Sequence, residues 1–240
     1  MIAKPPLQEP GRLYVIGDIH GRADLLERVI EAICHDMEAK PVDDALTVTL
    51  GDYVDRGPDS RRVIDRLSSN PFPTEFIALK GNHEALMEDF LAEPAVADHW
   101  RHLGGLETLH SYGVSVGSLM LGKDYAAAAD ALRSALPHFH KEFLASLPTA
   151  LMVGRYFLCH AGIRPGVPLQ RQKDDDLLWI REPFLDSTID FGMIVVHGHT
   201  PTEAPEVLPN RINLDTGAFM TGRLTCAALE GGRVRFLPTV

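Results

Sequence analysis

Five short polar clusters carry the side chains able to bind a metal ion or move a proton: Gly17-Asp18-Ile19-His20-Gly21, Gly51-Asp52-Tyr53-Val54-Asp55-Arg56-Gly57, Gly81-Asn82-His83-Glu84, His160-Ala161-Gly162 and His197-Gly198-His199-Thr200. They supply carboxylate oxygens, imidazole nitrogens and one carboxamide, with no thiol among them. Such a donor set suits manganese, iron, zinc or a similar first-row ion. Asp52 has two oxygens and is the candidate to lie between two metal ions. Arg56, four residues on, carries a planar guanidinium that can clamp a phosphate with two parallel hydrogen bonds, which lysine cannot copy. Each cluster alone is a weak signal. An Asp-x-His pair is more often a turn, and a His-x-His pair is more often surface polarity. Five in one chain, most flanked by glycine, form a pattern.

An apolar run precedes each cluster and supplies the element that positions it. Residues 12–16, 45–50, 74–79, 156–159 and 193–196 read as buried strands. The loops that follow the carboxyl ends of such strands are where ligands bind in open α/β sheets. Between the first three strands lie two helical patterns. One covers residues 23–37, with an apolar stripe of Leu25, Leu26, Val29, Ile30 and Ile33. The other opens at Pro58-Asp59-Ser60 and runs through Val63, Ile64 and Leu67. The β-α-β-α-β order predicts a parallel sheet. From about residue 85 to 147 the texture is helical, with Gly104-Gly105 and Tyr112-Gly113 as helix stops, and it reads as a helical insertion beside or over the site. Strands return at 150–153 and 156–159. The run Asp174-Asp175-Asp176 reads as a solvated turn or a helix N-terminus, where negative charge is favoured. The tail segments 206–208, 211–214, 224–229 and 233–237 read as antiparallel strands, with turns at Asn210, Thr221-Gly222 and Gly231-Gly232. The expectation is one α/β domain over residues 1–240, with an insertion at about 85–147.

Bulk properties narrow the function. The chain has 240 residues, 23 basic and 33 acidic side chains, and a formal charge of −10, which argues against a nucleic-acid-binding surface. No apolar run approaches the roughly 20 residues needed to cross a bilayer, and residues 1–6 lack the apolar segment of a secretory signal. Cys34, Cys159 and Cys226 are too few and too scattered for a disulfide framework and read as reduced thiols in a cytoplasmic protein, with Cys159 a buried small apolar side chain. His99, His102, His110, His138 and His140 in the insertion read as ordinary. His197 reads as structural, and Asp215 as a residue that tightens a turn near the site.

The five clusters, in this order and over residues 17–200, resemble the phosphoprotein phosphatase family of binuclear metallophosphoesterases, most closely its short bacterial and bacteriophage members. The resemblance implies a calcineurin-like β-sandwich of two mixed sheets flanked by helices, with the metals at the strand ends. It implies that Asp18, His20 and Asp52 hold one divalent ion and that Asp52, Asn82, His160 and His199 hold a second, with manganese expected and iron, zinc, cobalt or nickel as alternatives. A hydroxide held between the ions would attack phosphorus directly. His83 would be the general acid, paired with Asp55, and Arg56, Arg181 and Asn82 would face the phosphate. Glu84 follows His83 as it does in the protein phosphatases.

The resemblance implies a phosphoric monoester hydrolase, a serine/threonine protein phosphatase acting on phosphoproteins, with hydrolysis of dinucleoside polyphosphates such as diadenosine tetraphosphate as the alternative. The intact Asp55-Arg56 pair and Glu84 favour the first. An inactive metal-binding scaffold is the remote reading, disfavoured because no ligand position is lost. No long tail follows the last strands, so no regulatory subunit is expected.

Overall fold

The computed structural model describes residues 6–238; the first five residues of the proline-containing start lie outside the described residues. The first half alternates strand and helix: β1 (Arg12–Ile16), α1 (Ala23–Ala39), β2 (Ala45–Thr49), α2 (Ser60–Leu67), β3 (Glu75–Ala78) and α3 (Asn82–Ala92). Helices alone follow: α4 (Ala97–Trp100), α5 (Gly105–Ser111), α6 (Gly117–Met120), α7 (Tyr125–Ala135) and α8 (His138–Ser146). Then come β4 (Ala150–Val153), β5 (Tyr156–Cys159), α9 (Asp174–Trp179), β6 (Ile194–His197), β7 (Glu206–Val207), β8 (Arg211–Asn213), α10 (Ala218–Thr221), β9 (Cys226–Glu230) and β10 (Arg233–Phe236).

The strands form two five-stranded mixed sheets, ordered β10-β9-β1-β2-β3 and β4-β5-β6-β8-β7. β1, β2 and β3 pair in parallel, and the β9–β10 hairpin adds to β1 antiparallel. The tail departs from the sequence expectation here. β8 pairs antiparallel with β7 but parallel with β6, so the tail is divided between the two sheets. The turn before β9 also contains the short α10, and the strand itself starts at Cys226 rather than 224.

Side-chain alternation builds the layers. Leu13 and Val15 of β1 join a core with Val48, Leu151, Leu158, Val196 and Ile212, which come from both sheets, so this cluster fills the space between them. Tyr14 and Ile16 point to the other face and pack with Leu26, Val29 and Ile33 of α1. A period of two in a strand dictates this division. Phe157, Cys159 and Val195 cover the far face of the second sheet with Phe184 and Ile180. Cys34, Cys159 and Cys226 are all unpaired, and burial pushes the Cys159 thiol well above its usual range.

The helical insertion is pinned to α2 by a buried histidine. His140 Nδ1 lies 2.9 Å from the Tyr112 hydroxyl and Nε2 lies 2.7 Å from Asp65 Oδ1. The acidic run opens α9, but it is not simply solvated. Asp176 is buried and pairs with Arg164, and Thr149 donates to Asp174. No helix among the described residues is long and apolar enough to cross a membrane.

His197 ends β6 fully buried, with Nδ1 donating to Gly198 O at 3.0 Å and Nε2 without a hydrogen-bond partner among the described residues. Burial lowers it to about 3, against the opposing pull of the Gly198 carbonyl. An unfolded histidine takes up a proton near pH 6.5, so below that pH the unfolded chain binds the extra proton and the fold loses stability. His197→Leu should remove about 2 kcal/mol of the stability lost by the metal-free protein between pH 7 and 5, measured by urea unfolding. An unaltered acid limb would refute this role.

Candidate metal centre and active site

The five polar clusters meet at the carboxyl ends of β1, β2, β3, β5 and β6 in an unusual backbone. His20, Asp52, Asp55, Arg56 and His199 all have positive φ, at 45°, 53°, 72°, 67° and 66°. A non-glycine residue held there costs of order 1–3 kcal/mol, so the surroundings must over-determine it. Glu84 does much of this. Its carboxylate accepts from Gly81 N at 2.8 Å, Asp52 N at 2.9 Å, Tyr53 N at 2.7 Å and Val54 N at 3.2 Å. At the third position of α3 it also satisfies an orphan amide at the helix start. Burial pushes the Glu84 carboxyl up, to about 7, with the Asp52 charge adding to the rise and the Gly81, Tyr53 and Val54 amides opposing it. A Cβ on Gly81 would collide with Asp52 and Glu84, so only glycine lets the two loops approach. From the other side, Ile19 N and His20 N donate to Asp52 O at 3.1 and 2.7 Å.

Asp52 lies at the middle of the donors. Its Oδ2 is 3.3 Å from His20 Nε2 and its Oδ1 is 3.4 Å from His160 Nε2. Burial raises its pKa, but His160, His83, His20 and His199 more than reverse this, and the carboxylate is held below its usual range. Burial lowers His20 and His199 to about 3 and also lowers His160, so these imidazoles are neutral. His20 Nδ1 lies 2.9 Å from Val54 O, and His160 Nδ1 lies 3.0 Å from Leu50 O. A carbonyl only accepts, so Nδ1 carries the proton in both rings and Nε2 presents a lone pair to the site. That is how backbone carbonyls orient metal-binding histidines.

The inward lone pairs test whether a cation fits. His160 Nε2 points at Asn82 Oδ1 from 2.8 Å, an acceptor facing an acceptor, and His199 Nδ1 is 2.8 Å from the same oxygen. Asp52 adds anionic charge. A divalent ion satisfies such a convergence. Donor atoms of Asp52, His160 and His199 lie within 4.8 Å of one another, and so do those of His20, Asp52 and His83. Asp18 belongs to neither group. Its two oxygens accept from His199 N at 3.3 and 3.1 Å, and burial, then Asp215, then Asp52 push its pKa well up.

Beside the donors is a second group. His83 Nδ1 lies 2.7 Å from Asp55 Oδ2. Its Nε2 is 3.2 Å from Arg56 Nη2 and 3.8 Å from Asp52 Oδ2. Burial lowers the His83 pKa, but Asp52 and the Asp55 hydrogen bond overcome this and the net shift is upward. Asp55 is saturated by the insertion. Trp100 Nε1 donates to Oδ2 at 2.7 Å and Thr108 Oγ1 donates to Oδ1 at 2.5 Å. Arg181 is exposed, and its charge is one of the influences that lower His199.

The comparisons with known proteins fit this geometry. Residues 11–218 match the calcineurin-like phosphoesterase family. The chain belongs to that family. It is therefore a phosphoesterase, a hydrolase with donor groups for divalent metal. It is 30% identical over 227 residues to serine/threonine-protein phosphatase 1 of Salmonella typhimurium, covering 91% of this chain and 92% of that one. It is 27% identical over 223 residues to serine/threonine-protein phosphatase 2 of Escherichia coli, covering 89% and 90%. An asymmetrical bis(5'-nucleosyl)-tetraphosphatase, PrpE, of Bacillus thuringiensis is also 27% identical, over 236 residues, covering 88% and 87%. Among solved structures, a cold-active protein tyrosine phosphatase superposes with a TM-score of 0.66 at 17% identity, over 98% of this chain and 78% of that one. At such identity the likeness concerns the fold alone.

Sequence reasoning did not single out Trp100, Thr108 or Phe219, and it used Glu84 only as a family marker. Glu84 had a readable signal, three residues after a helix-opening glycine. The others arrive from 45, 53 and 163 residues away from the groups they contact, with no local trace. Glu84→Ala leaves four buried amides unpaired and should cost the metal-free protein roughly 3–5 kcal/mol in urea unfolding; a loss below 1 kcal/mol would refute its structural weight. Asp52→Asn should lower bound manganese after dialysis, measured by elemental analysis, while far-ultraviolet circular dichroism stays unchanged.

Proposed function

We propose that this chain is a metal-dependent serine/threonine protein phosphatase that hydrolyses phosphomonoesters. The observation that carries the reading is the juxtaposition of His83, backed by Asp55 at 2.7 Å, with the guanidinium of Arg56 at 3.2 Å. An imidazole able to carry a proton then stands beside an anion clamp, its Nε2 accepting from the Arg56 N–H in this arrangement. In this reading Asp18, His20 and Asp52 hold one divalent ion and Asp52, Asn82, His160 and His199 a second, with manganese the expected metal. When bound, the ions lower the pKa of a coordinated water from about 15.7 towards 7 and neutralise phosphoryl charge.

The chain's own side chains supply the remaining steps. Arg56 and Arg181 hold phosphate oxygens, and Asn82, being neutral, adds no negative charge to oppose them. His83 donates its Nε2 proton to the departing serine or threonine oxygen, which leaves as the alcohol. Asp55 accepts from Nδ1–H throughout and stabilises the charged ring before the transfer. Trp100 and Thr108 donate to Asp55 and keep it aligned.

Hydrolysis of a dinucleoside polyphosphate is the second reading, supported by the Bacillus relatives. A nucleotide leaves well without protonation, so a carboxylate-backed histidine has less to do there. The discriminating experiment compares a phosphothreonine peptide, a phosphotyrosine peptide and diadenosine tetraphosphate with manganese present. The phosphothreonine peptide should be hydrolysed fastest, and a preference for the dinucleotide by orders of magnitude would overturn the proposal. His83→Asn should keep its metal and slow alkyl phosphates roughly 10²–10⁴-fold, with a smaller effect on nitrophenyl phosphate. Equal slowing of both esters would exclude His83 as the proton donor.

A further inference from the structure

Arg56 is a cation at the centre of the site with no acidic side chain in ion-pair contact among the described residues, whereas the buried Arg12, the half-buried Arg66 and the exposed Arg164 each grip a carboxylate. Something other than a carboxylate has to hold it. Its backbone is fixed in the left-handed region and its N–H donates to Gly104 O at 3.3 Å. Gly104 lies so close that a Cβ there would strike the Arg56 backbone and Cγ. The opposite wall is Phe219. The guanidinium carbon of Arg56 sits 4.9 Å from the centroid of the Phe219 ring. The same ring meets His20 edge-on at 5.5 Å.

Phe219 is placed with some care. It lies in α10, one short turn bracketed by Gly217 at φ 65° and Gly222 at φ 71°. Asp215 Oδ1 accepts from Gly217 N at 2.8 Å, Thr221 Oγ1 donates to Thr216 O at 2.8 Å, and Arg22, at the start of α1, donates to Ala218 O at 2.9 Å. Asp215 does tighten a turn, and that turn presents the ring.

We propose that Phe219 is the positioning residue for Arg56, holding the guanidinium by its face so that its N–H groups, apart from the Nη2 contact to His83, stay open for a phosphate ester. The inference rests on the reading of Arg56 as a phosphate clamp. A carboxylate partner would occupy the in-plane donors that bidentate phosphate binding needs. A ring face attracts the cation without using any of them. The aromatic contact fixes one face of the guanidinium, and the in-plane donors not given to His83 are left for substrate oxygens.

The test is direct binding of inorganic phosphate to the manganese-loaded protein by calorimetry, with bound manganese determined for every variant. Phe219→Leu keeps an apolar side chain but removes the π face, and should raise the dissociation constant about five- to thirty-fold. Phe219→Trp should restore wild-type binding. Arg56→Ala should weaken binding by itself, and adding Phe219→Leu to it should have no further effect, because the ring acts through the arginine. If Arg56→Ala weakens binding and Phe219→Leu does not, the inference fails and the clamp reading stands. Additive losses in the double variant, or a fall in manganese that accounts for the loss in Phe219→Leu, also overturn it. If Arg56→Ala leaves binding unchanged, the clamp reading fails with it.

Discussion

One buried carboxylate ties the centre of this protein together. Glu84 accepts four backbone amides, one from the start of its own helix and three from the turn after β2. The strand ends of β2 and β3 are thereby locked to each other, and Asp52 is held with its side chain among the donors despite a left-handed backbone. Amides bound to a charged acceptor are among the stronger hydrogen bonds, and leaving them unpaired in the interior is costly. The strain stored in Asp52, Asp55 and Arg56 persists because the turn after β2 cannot relax without breaking that network. Five of the seven non-glycine residues with positive φ among the described residues belong to the site, which is where such strain collects.

Electrostatics follow from this rigid frame. Burial drives the imidazoles of His20, His160 and His199 to the neutral form and pushes the carboxyls of Asp18 and Asp215 up, while Asp52 is held below its usual range. Lone pairs are therefore presented to the centre by neutral rings, and the carboxyls around it repel one another. Divalent cations relieve that repulsion and invert the local proton balance. His83 stands apart because its Nδ1 is committed to Asp55 and its pKa moves up.

Much of this was legible in the sequence, for a local reason. Glycine-flanked donors after apolar runs mark strand ends, so the five clusters could be placed there before any coordinates, and the family resemblance then implied the set Asp18, His20, Asp52, Asn82, His160 and His199. The two mixed sheets came from the family resemblance, since periodicity alone gave only a parallel sheet from the β-α-β-α-β run. The parallel pairing of β8 with β6 left no trace in a three-residue strand. α10 is too short for helical periodicity to reveal, so Phe219 looked like any other apolar residue. Trp100 and Thr108 reach Asp55 through tertiary packing, which spacing in the chain cannot report. The run Asp174-Asp175-Asp176 does open a helix, one of its two sequence readings, but the pairing of the buried Asp176 with Arg164 left no local trace.

The site draws on two separate parts of the chain. The donors for metal come from strand-end loops of the two sheets, whereas the groups that saturate Asp55, and the glycine that abuts Arg56, come from helices α4 and α5 and the turn between them. Replacing this segment would leave the strand-end donors in place while removing the hydrogen-bond partners that Trp100 and Thr108 give to Asp55.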